Sequence, residues 1–384
     1  MLVLCPPFFN NSFPKFGVMT AFGSHCEKNA PAYENSLVIA ISNSFFSVIS
    51  GFCVFGILGY LSTIEGDFEM KSGPALLFGA YPAALSTITF GLQWVRFLFL
   101  NLILLGLDSA FALLEAVVST IEDSTGVSYP KHAIVAILCV FGFVVGLIYT
   151  TDAGLLFLDV VDFYINFILL LLGFFKSFSA GWIFKMEDQI ILLGQRVVFV
   201  YVLCTFGSLL IASIVWFGID GNTVILGLVC LFVIYTLGMI YCRRQINLIT
   251  EHAEGEQTSA DLWYQLTMGN IMELKTELET SVGYIPKAWA VVMKHLIPQV
   301  LLVLFVNLSL AKTEKGNWEL GSYGDYLVWP FQFIGLSEVL FVASIVILGF
   351  VKADLFERLV KIESKSHNIV TVEMETEYRE MTTV

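Results

Sequence analysis

Long apolar runs alternate with short polar segments along most of the chain. Each run approaches or exceeds the roughly 20 residues that an α-helix needs to cross a hydrocarbon core about 30 Å thick. The runs are too long and unbroken for strands, and the weak alternating segments of an outer-membrane barrel are not seen. The pattern predicts half a helix at 13–24 and spanning helices at 36–62, 86–118, 133–150, 155–184, 197–217, 223–241, 289–311 and 327–351.

Composition supports this interpretation and excludes several classes of protein. Of the 384 residues, 57% are hydrophobic and 14% are charged, whereas a soluble domain is about 25% charged. Disordered chains are polar, so disorder is excluded as well. The net charge of −13 argues against a nucleic-acid partner. The scattered Cys and His residues predict no metal cluster, disulfide framework or enzyme site. The predicted fold class is an all-α, polytopic helical membrane protein in a lipid bilayer.

The basic residues predict the orientation of this protein in the membrane. If the loop 25–35 is cytoplasmic, alternation of the spans places most Lys and Arg on the cytoplasmic side, including Lys185 and Lys294. Few basic residues then lie outside, as the positive-inside rule requires. We therefore expect an integral protein of the plasma membrane, with a transmembrane region at 1–352 and a cytoplasmic tail at 353–384.

Two polar stretches stand apart from the spans. Residues 245–286 carry Leu262, Leu266, Ile271 and Leu274 at helical spacing, which predicts a cytoplasmic helix lying at the membrane interface. The tail ends in Thr382-Thr383-Val384, a T-x-V terminus of the kind that adds as a strand to a PDZ domain. Three residues also match such a motif readily by chance.

Polar residues inside a membrane span carry a high free-energy cost, so they mark candidate functional sites. Asp108 and Ser109 lie deep within an apolar run, and the carbonyl of Leu105 lies one turn earlier on the same side. A carboxylate, a hydroxyl and a carbonyl within one turn form an oxygen-rich site for a hard cation. The alternative is an Asp–Ser pair that hydrogen-bonds between helices.

Other spans carry further candidates. Asn43 and Ser47 are i,i+4 neighbours on one helix face, where they serve either as ligands or as packing contacts between helices. Asp159 and Asp162 lie near one end of their span, where a carboxylate is either solvated or closes a gate.

An ordered series of motifs resembles the neurotransmitter:sodium symporter family. FGVMTAFGSH resembles the cytoplasmic half of its broken sixth helix, and SGFCVFGILGYLS resembles its seventh. SGPALLFGAYPAAL resembles an extracellular loop of the family. LGLDSAFALLE resembles the eighth helix, and FLDVVDFY resembles the start of the tenth. YGDY and the last two spans resemble the eleventh and twelfth helices and the link between them. The resemblance implies the C-terminal part of a broken-helix, inverted-repeat (5+5) sodium symporter fold, with two inserted helices at about 197–241.

The resemblance also implies roles for individual residues. The implied sodium ligands are Asn43, Asp108, Ser109 and the Leu105 carbonyl, and the implied chloride ligands are Ser47 and Asn43. The implied substrate pocket is lined by Phe16, Ser109, Ala110 and Leu113. Asp162 matches the outer-gate acid and Asp123 the inner-gate acid. The implied ions are Na⁺ and, in chloride-dependent members, Cl⁻.

The family's function is sodium-coupled symport of an amino acid or small amine by alternating access. The first five helices of the family have no counterpart in this sequence, and Lys15 stands where a small residue is expected. We therefore expect that this chain by itself does not transport. The alternatives are a non-transporting fragment that associates with or regulates full-length transporters, and a channel or unrelated transporter built around the same aspartate. The substrate is not identified by the sequence.

Overall fold

A computed structural model of the chain describes residues 22–23, 31–65, 76–125, 130–219, 223–252, 258–311, 330 and 332–352. These residues form helices joined by short connections, and no strand occurs among them. The predicted run at 13–24, including Phe16, and the C-terminal Thr382–Val384 lie outside the described residues, apart from Phe22 and Gly23.

The eight predicted spans from residue 36 onwards are confirmed as helical over their described residues, apart from a turn at 87–90 that delays the start of the second span to Gly91. Seven helical segments in the described ranges are long and apolar enough to cross a membrane, and two apolar helices are shorter. The helices are α1 Ala32–Glu65, α2 Tyr81–Ser86, α3 Gly91–Thr125, α4 Lys131–Gly146, α5 Gly154–Phe178, α6 Met186–Leu193, α7 Gln195–Gly218, α8 Val224–His252, α9 Ser259–Tyr264, α10 Asn270–Val282, α11 Lys287–His295, α12 Ile297–Leu310 and α13 Phe333–Val351.

Helix starts and ends follow the local sequence. Pro130 and Pro286 lie just before α4 and α11, in the extended conformation that proline favours ahead of a helix. Thr258 caps α9: its hydroxyl accepts a bond from the Asp261 amide, and the Asp261 carboxylate accepts one from the Thr258 amide. Two π-helical segments, Ser179–Ile183 and Gln265–Gly269, continue α5 and α9 by a further turn.

The chain divides into two compact units. The first comprises Met1–Cys26, Ser44–Asp159 and Leu340–Val384. Within it, a small buried cluster of Leu61, Ala80 and Ala84 packs α2 against the end of α1. The α1 and α3 faces in this unit carry many exposed large apolar side chains, as expected for helices that face lipid.

The second unit comprises Glu27–Asn43 and Val160–Val339, and it contains an aromatic core. Trp182, in the π-helical segment after α5, stacks on Tyr201 with ring centroids 5.1 Å apart. The edge of Phe206 meets the same indole at 5.0 Å. Offset and edge-to-face aromatic pairs of this kind add specific geometry to the buried area, so this core fixes α5 against α7.

The polar stretch at 245–286 also belongs to this second unit. The helices predicted there are present, because α8 continues to His252 and α9 and α10 follow. Leu262, Leu266 and Ile271 are at most 2% exposed, and the first two belong to the aromatic core. The apolar face of this segment therefore packs against protein, where the sequence predicted contact with a membrane interface.

A buried lysine sits beside that core. Lys294 is 1% exposed, and its Nζ donates to Asn270 Oδ1 at 2.6 Å and lies 5.1 Å from the ring centroid of Trp182. Asn270 Nδ2 donates to the carbonyl of Gly181, and Trp182 Nε1 donates to the carbonyl of Lys294, both at 2.9 Å. We call Lys294, Asn270, Trp182 and Gly181 the buried lysine cluster. It joins α10, α11 and the π-helical segment after α5.

Candidate functional site

Helix α3 carries the central candidate residues. Its 35 residues contain no proline, and the run from Phe97 to Leu114 is almost wholly apolar, so the helix crosses the membrane without a break. The polar pair Asp108 and Ser109 interrupts this run at its centre. The helical backbone brings the Leu105 carbonyl to the Ser109 side chain, because residues four apart lie one above the other.

The structure brings two of the three predicted oxygen ligands together. Ser109 Oγ donates a hydrogen bond to the Leu105 carbonyl oxygen over 3.0 Å. The Ser109 hydroxyl oxygen retains lone pairs that can face a cation, whereas the Leu105 carbonyl also accepts the helical bond from the Ser109 amide, so a cation would have to displace one of its two donors. Asp108 lies between them in sequence and its side chain is exposed. A carboxylate on a membrane-crossing helix needs an ion, a polar partner or water, since lipid solvates it poorly.

The donor set fits sodium better than a transition metal. No group of three or more His, Cys, Asp or Glu side chains converges anywhere in the described ranges. The groups nearest to Asp108 along α3 that can act as ligands are the Ser109 hydroxyl and the Leu105 carbonyl. Such oxygens are the ligands that hard cations prefer, whereas nitrogen and sulfur ligands select zinc or copper. Leu105 O, Asp108 and Ser109 are three such groups on neighbouring turns of one helix.

The pocket residues predicted beside this site share its helix. Ala110 follows Ser109 directly, and Leu113 lies one turn further on, with its side chain 40% exposed. Asp123, the predicted inner-gate acid, belongs to the last turn of α3. Phe16, predicted to wall the same pocket, lies outside the described residues.

The remaining candidates lie on α1 and α5. Asn43 and Ser47 are half-buried and occupy successive turns of α1, as the i,i+4 spacing predicts. Asp162 lies in the third turn of α5, where its side chain is exposed and its carbonyl accepts a bond from Asn166 Nδ2 at 3.0 Å. The roles of these residues as ion ligands and gates stay predictions.

Sequence reasoning missed the buried lysine cluster. It assigned Lys294 to a cytoplasmic connection, as one of many basic residues, whereas the structure places this side chain inside the protein. The available signal was the apolar run that follows Lys294 in α12, because an ionisable residue at the edge of such a run requires a partner. The partner, Asn270, lies 24 residues away, so spacing alone does not identify it.

These observations define a class of protein: a polytopic, all-helical integral membrane protein with an oxygen-rich polar site in an apolar helix. Comparison with known proteins identifies the family within this class. The model of the sodium:neurotransmitter symporter family matches residues 8–240, which is more than half of the chain. The chain therefore belongs to the sodium:neurotransmitter symporter family, whose members are transporters and not enzymes. The match includes α7 and runs into α8, and the interpretation of 197–241 as inserted helices stays a prediction.

Similar curated proteins agree with this assignment. The chain is 33% identical over 193 residues to the sodium- and chloride-dependent creatine transporter 1 of Bos taurus, covering 47% of this chain and 30% of that protein. It is 32% identical over 181 residues to the sodium- and chloride-dependent GABA transporter 2 of Mus musculus, covering 44% and 29%. An uncharacterized sodium-dependent transporter of Methanocaldococcus jannaschii is 34% identical over 174 residues, covering 44% and 35%.

The matched segment thus corresponds to about a third of the length of these relatives. No solved structure matches the chain.

Proposed function

We propose that this chain takes part in sodium-coupled symport of an amino acid or small amine by alternating access. The observation that carries the proposal is the family match across α3, together with the hydrogen bond that holds Leu105 O and Ser109 Oγ 3.0 Å apart beside Asp108. In this proposal Asp108 supplies the negative charge of a sodium site, while the hydroxyl and the carbonyl supply neutral oxygens. Asn43 of α1 is proposed as a ligand of a separate sodium site.

Chloride dependence is the finer part of the proposal. Ser47 has a hydroxyl that can donate to an anion, and it lies one turn from Asn43 on α1. A chloride there would balance the charge of a bound sodium ion, which is a large effect where the dielectric constant is low. The two sets of mammalian relatives that match this chain are both described as sodium- and chloride-dependent.

The same relatives support the proposed substrate class. Creatine and GABA are small molecules that each carry a carboxylate and a cationic nitrogen group. We infer a substrate of this kind, bound beside Phe16, Ser109, Ala110 and Leu113, with Asp162 and Asp123 as the outer-gate and inner-gate acids. The lipid bilayer is the proposed environment, and the plasma membrane is the proposed location, with the tail from 353 on its cytoplasmic side.

The test is sodium binding to the purified protein. Binding of radioactive sodium in detergent should saturate in the wild-type protein and be lost in Asp108→Asn, which keeps the shape of the side chain and removes its charge. Asp152→Asn is the matched control, because Asp152 is an exposed carboxylate just before α5 that has no proposed role. Equal sodium binding by wild-type protein and Asp108→Asn would overturn the site.

Transport itself is measured on membrane vesicles from cells that make the protein. Because we expect that this chain by itself does not transport, any uptake of labelled GABA or creatine above that of vesicles without the protein should require sodium, disappear in the Asp108→Asn vesicles and remain in the Asp152→Asn vesicles. Uptake that persists in choline buffer would contradict sodium coupling.

A second candidate function is association with complete members of the family. The exposure of Asp108 on a membrane-crossing helix favours it, because a second protein is one source of the polar partner that this carboxylate needs. Affinity purification with a tagged full-length GABA transporter tests this candidate. Recovery of the wild-type chain together with equal recovery of Asp108→Asn would exclude a contact through this carboxylate.

A further inference from the structure

The end of α5 borders a groove that the proposed transport function does not use. The groove has a volume of about 480 Å³ and is lined by Lys176, Ser179, Ala180, Ile183, Phe184 and Leu274. Its volume falls within the range of sites that hold small molecules. We call it the α5 groove. All six residues belong to the second compact unit.

The α5 groove has a polar end and an apolar wall. Lys176 and Ser179 are one turn apart, so the ammonium and the hydroxyl lie on one side of the helix. Ala180, Ile183 and Phe184 continue along the chain from there, and Leu274 of α10 completes the wall. One cation and one hydroxyl beside an aliphatic and aromatic surface match a molecule with an anionic head and an apolar tail.

Lys176 is available to bind an anion. Its side chain is exposed, and no carboxylate lies within ion-pairing distance of it among the described residues. By contrast, Lys185 is held by Glu273 Oε1 at 2.6 Å and Glu277 Oε1 at 2.7 Å. Among the residues that the structure describes, Lys176 therefore has no carboxylate partner.

Two nearby carboxylates, Glu273 and Glu277, are already engaged by Lys185. Glu273 and Lys185 line a neighbouring groove. Lys185 Nζ also lies 5.5 Å from the ring centroid of Phe184, but its charge is balanced by these two carboxylates. The positive charge at the groove itself is thus the charge of Lys176.

The position of the groove along the chain identifies its occupant. Lys176 comes close to the end of the 30-residue apolar segment Gly154–Ile183, which is long enough to cross a bilayer. The end of such a segment lies where hydrocarbon gives way to phospholipid headgroups. Lysines at this depth extend their ammonium groups toward the headgroups and attract anionic lipids.

We propose that the α5 groove binds an anionic phospholipid, with the phosphate on Lys176 and Ser179 and an acyl chain along Ile183, Phe184 and Leu274. This site is separate from the sodium site of α3. The proposal stands whether or not the chain transports.

The experiment compares lipids retained by the purified protein in native mass spectrometry. Protein in mixed micelles with phosphatidylglycerol or phosphatidylcholine should retain phosphatidylglycerol preferentially. Lys176→Gln should lower the retained phosphatidylglycerol about fivefold, which is the effect expected of one lysine at a membrane surface. Lys176→Arg should keep most of it.

Lys352→Gln is the matched control. Lys352 is an exposed lysine at the end of another apolar helix, α13, and does not line the groove. Its substitution should leave the retained phosphatidylglycerol unchanged. An equal loss in both variants would show general surface attraction and overturn the proposal, as would no loss in Lys176→Gln.

Two further measurements distinguish a bound lipid from a free anion and from a structural role of Lys176. Added inorganic phosphate at millimolar concentration should not displace the lipid, and displacement would show that the groove binds a free anion. The thermal unfolding midpoint of Lys176→Gln in lipid-free detergent should equal that of wild-type protein. A lower midpoint would assign Lys176 to structure and contradict its role as a lipid contact.

Discussion

Two ionisable residues in apolar surroundings show opposite solutions to the same physical problem. Lys294, in α11, is 1% exposed and has its partners within the chain: the Asn270 amide oxygen and the Trp182 ring. Asp108, in α3, is exposed, while the adjacent Ser109 hydroxyl is bonded to the Leu105 carbonyl. Groups of the fold itself provide the polar partners of Lys294. The Asp108 carboxylate instead faces the surroundings of helix α3.

Under the proposed function, this difference separates a structural charge, Lys294, from a functional one, Asp108. A buried charge is tolerated when hydrogen bonds replace its water, and Lys294 meets that condition with neutral groups alone among the described contacts. Burial of this kind excludes an external ligand. The exposed Asp108 carboxylate has no such hydrogen-bond partner among the residues that the structure describes, and a carboxylate in a spanning helix is stabilised most by an ion or a polar partner.

The largest expected effect comes from removing the bulk of Lys294. Lys294→Ala should lower the free energy of unfolding by about 2–5 kcal/mol, as other truncations of long buried side chains do. Lys294→Met fills the same space without a charge and should be neutral or stabilising, because it removes the cost of burying an ion. Unfolding in detergent, followed by circular dichroism, measures both variants. Equal losses in the two variants would show that the charge itself stabilises the cluster.

A somewhat smaller effect is expected at Asp108. Sodium at about 100 times its dissociation constant should stabilise the wild-type protein by about 2.7 kcal/mol, because it binds the folded state alone. Asp108→Asn should remove this stabilisation while leaving the stability in sodium-free choline buffer unchanged. Thermal unfolding in the two buffers measures the difference. A variant that is destabilised equally in both buffers would place Asp108, like Lys294, among the structural charges.

The smallest effect is a pH dependence in α10. The Glu279 carboxylate accepts bonds from Lys275 Nζ at 2.6 Å and from the Ile285 amide at 3.0 Å, and these bonds lower its pKa below the usual value. A carboxylate with a lowered pKa contributes stability above its unfolded pKa and loses it as the pH falls through the folded pKa. The unfolding midpoint should therefore fall less steeply between about pH 6 and about pH 3 in Glu279→Gln than in wild-type protein.

Glu251→Gln is the control for this measurement, because Glu251 is an exposed carboxylate in the last turn of α8. It should keep the wild-type slope. Parallel slopes for Glu279→Gln and wild-type protein would show that the bonds seen at Glu279 carry no net stability.

The sequence predicted the spanning helices well because a single physical rule governs them. A helix that crosses hydrocarbon must be apolar over its whole length, so α1, α3 and α7 are visible as continuous runs. The proximity of Ser109 Oγ to the Leu105 carbonyl was predictable as well, because residues four apart lie on the same face of a helix. The role of Asp108 beside them stays a prediction.

Prediction from the sequence failed for contacts between residues that lie far apart in the chain. The bond from Trp182 Nε1 to the Lys294 carbonyl joins residues 112 positions apart, and no local pattern encodes it. The apolar face at Leu262 and Leu266 was visible, but the periodicity is the same whether that face meets lipid or protein. Tertiary packing, which the sequence pattern leaves open, decided both cases.

Two glycines determine how the chain returns to membrane-crossing helices. Gly194 ends α6 and Gly283 ends α10, and each has φ of +83° just before the chain enters a further apolar helix. An L-residue pays a steric cost in that region, whereas glycine does not. The direction in which the chain continues after each short helix is therefore set by the backbone angle of a glycine and not by a side-chain contact. Any homologue with another residue at either position has to redirect the chain by other means.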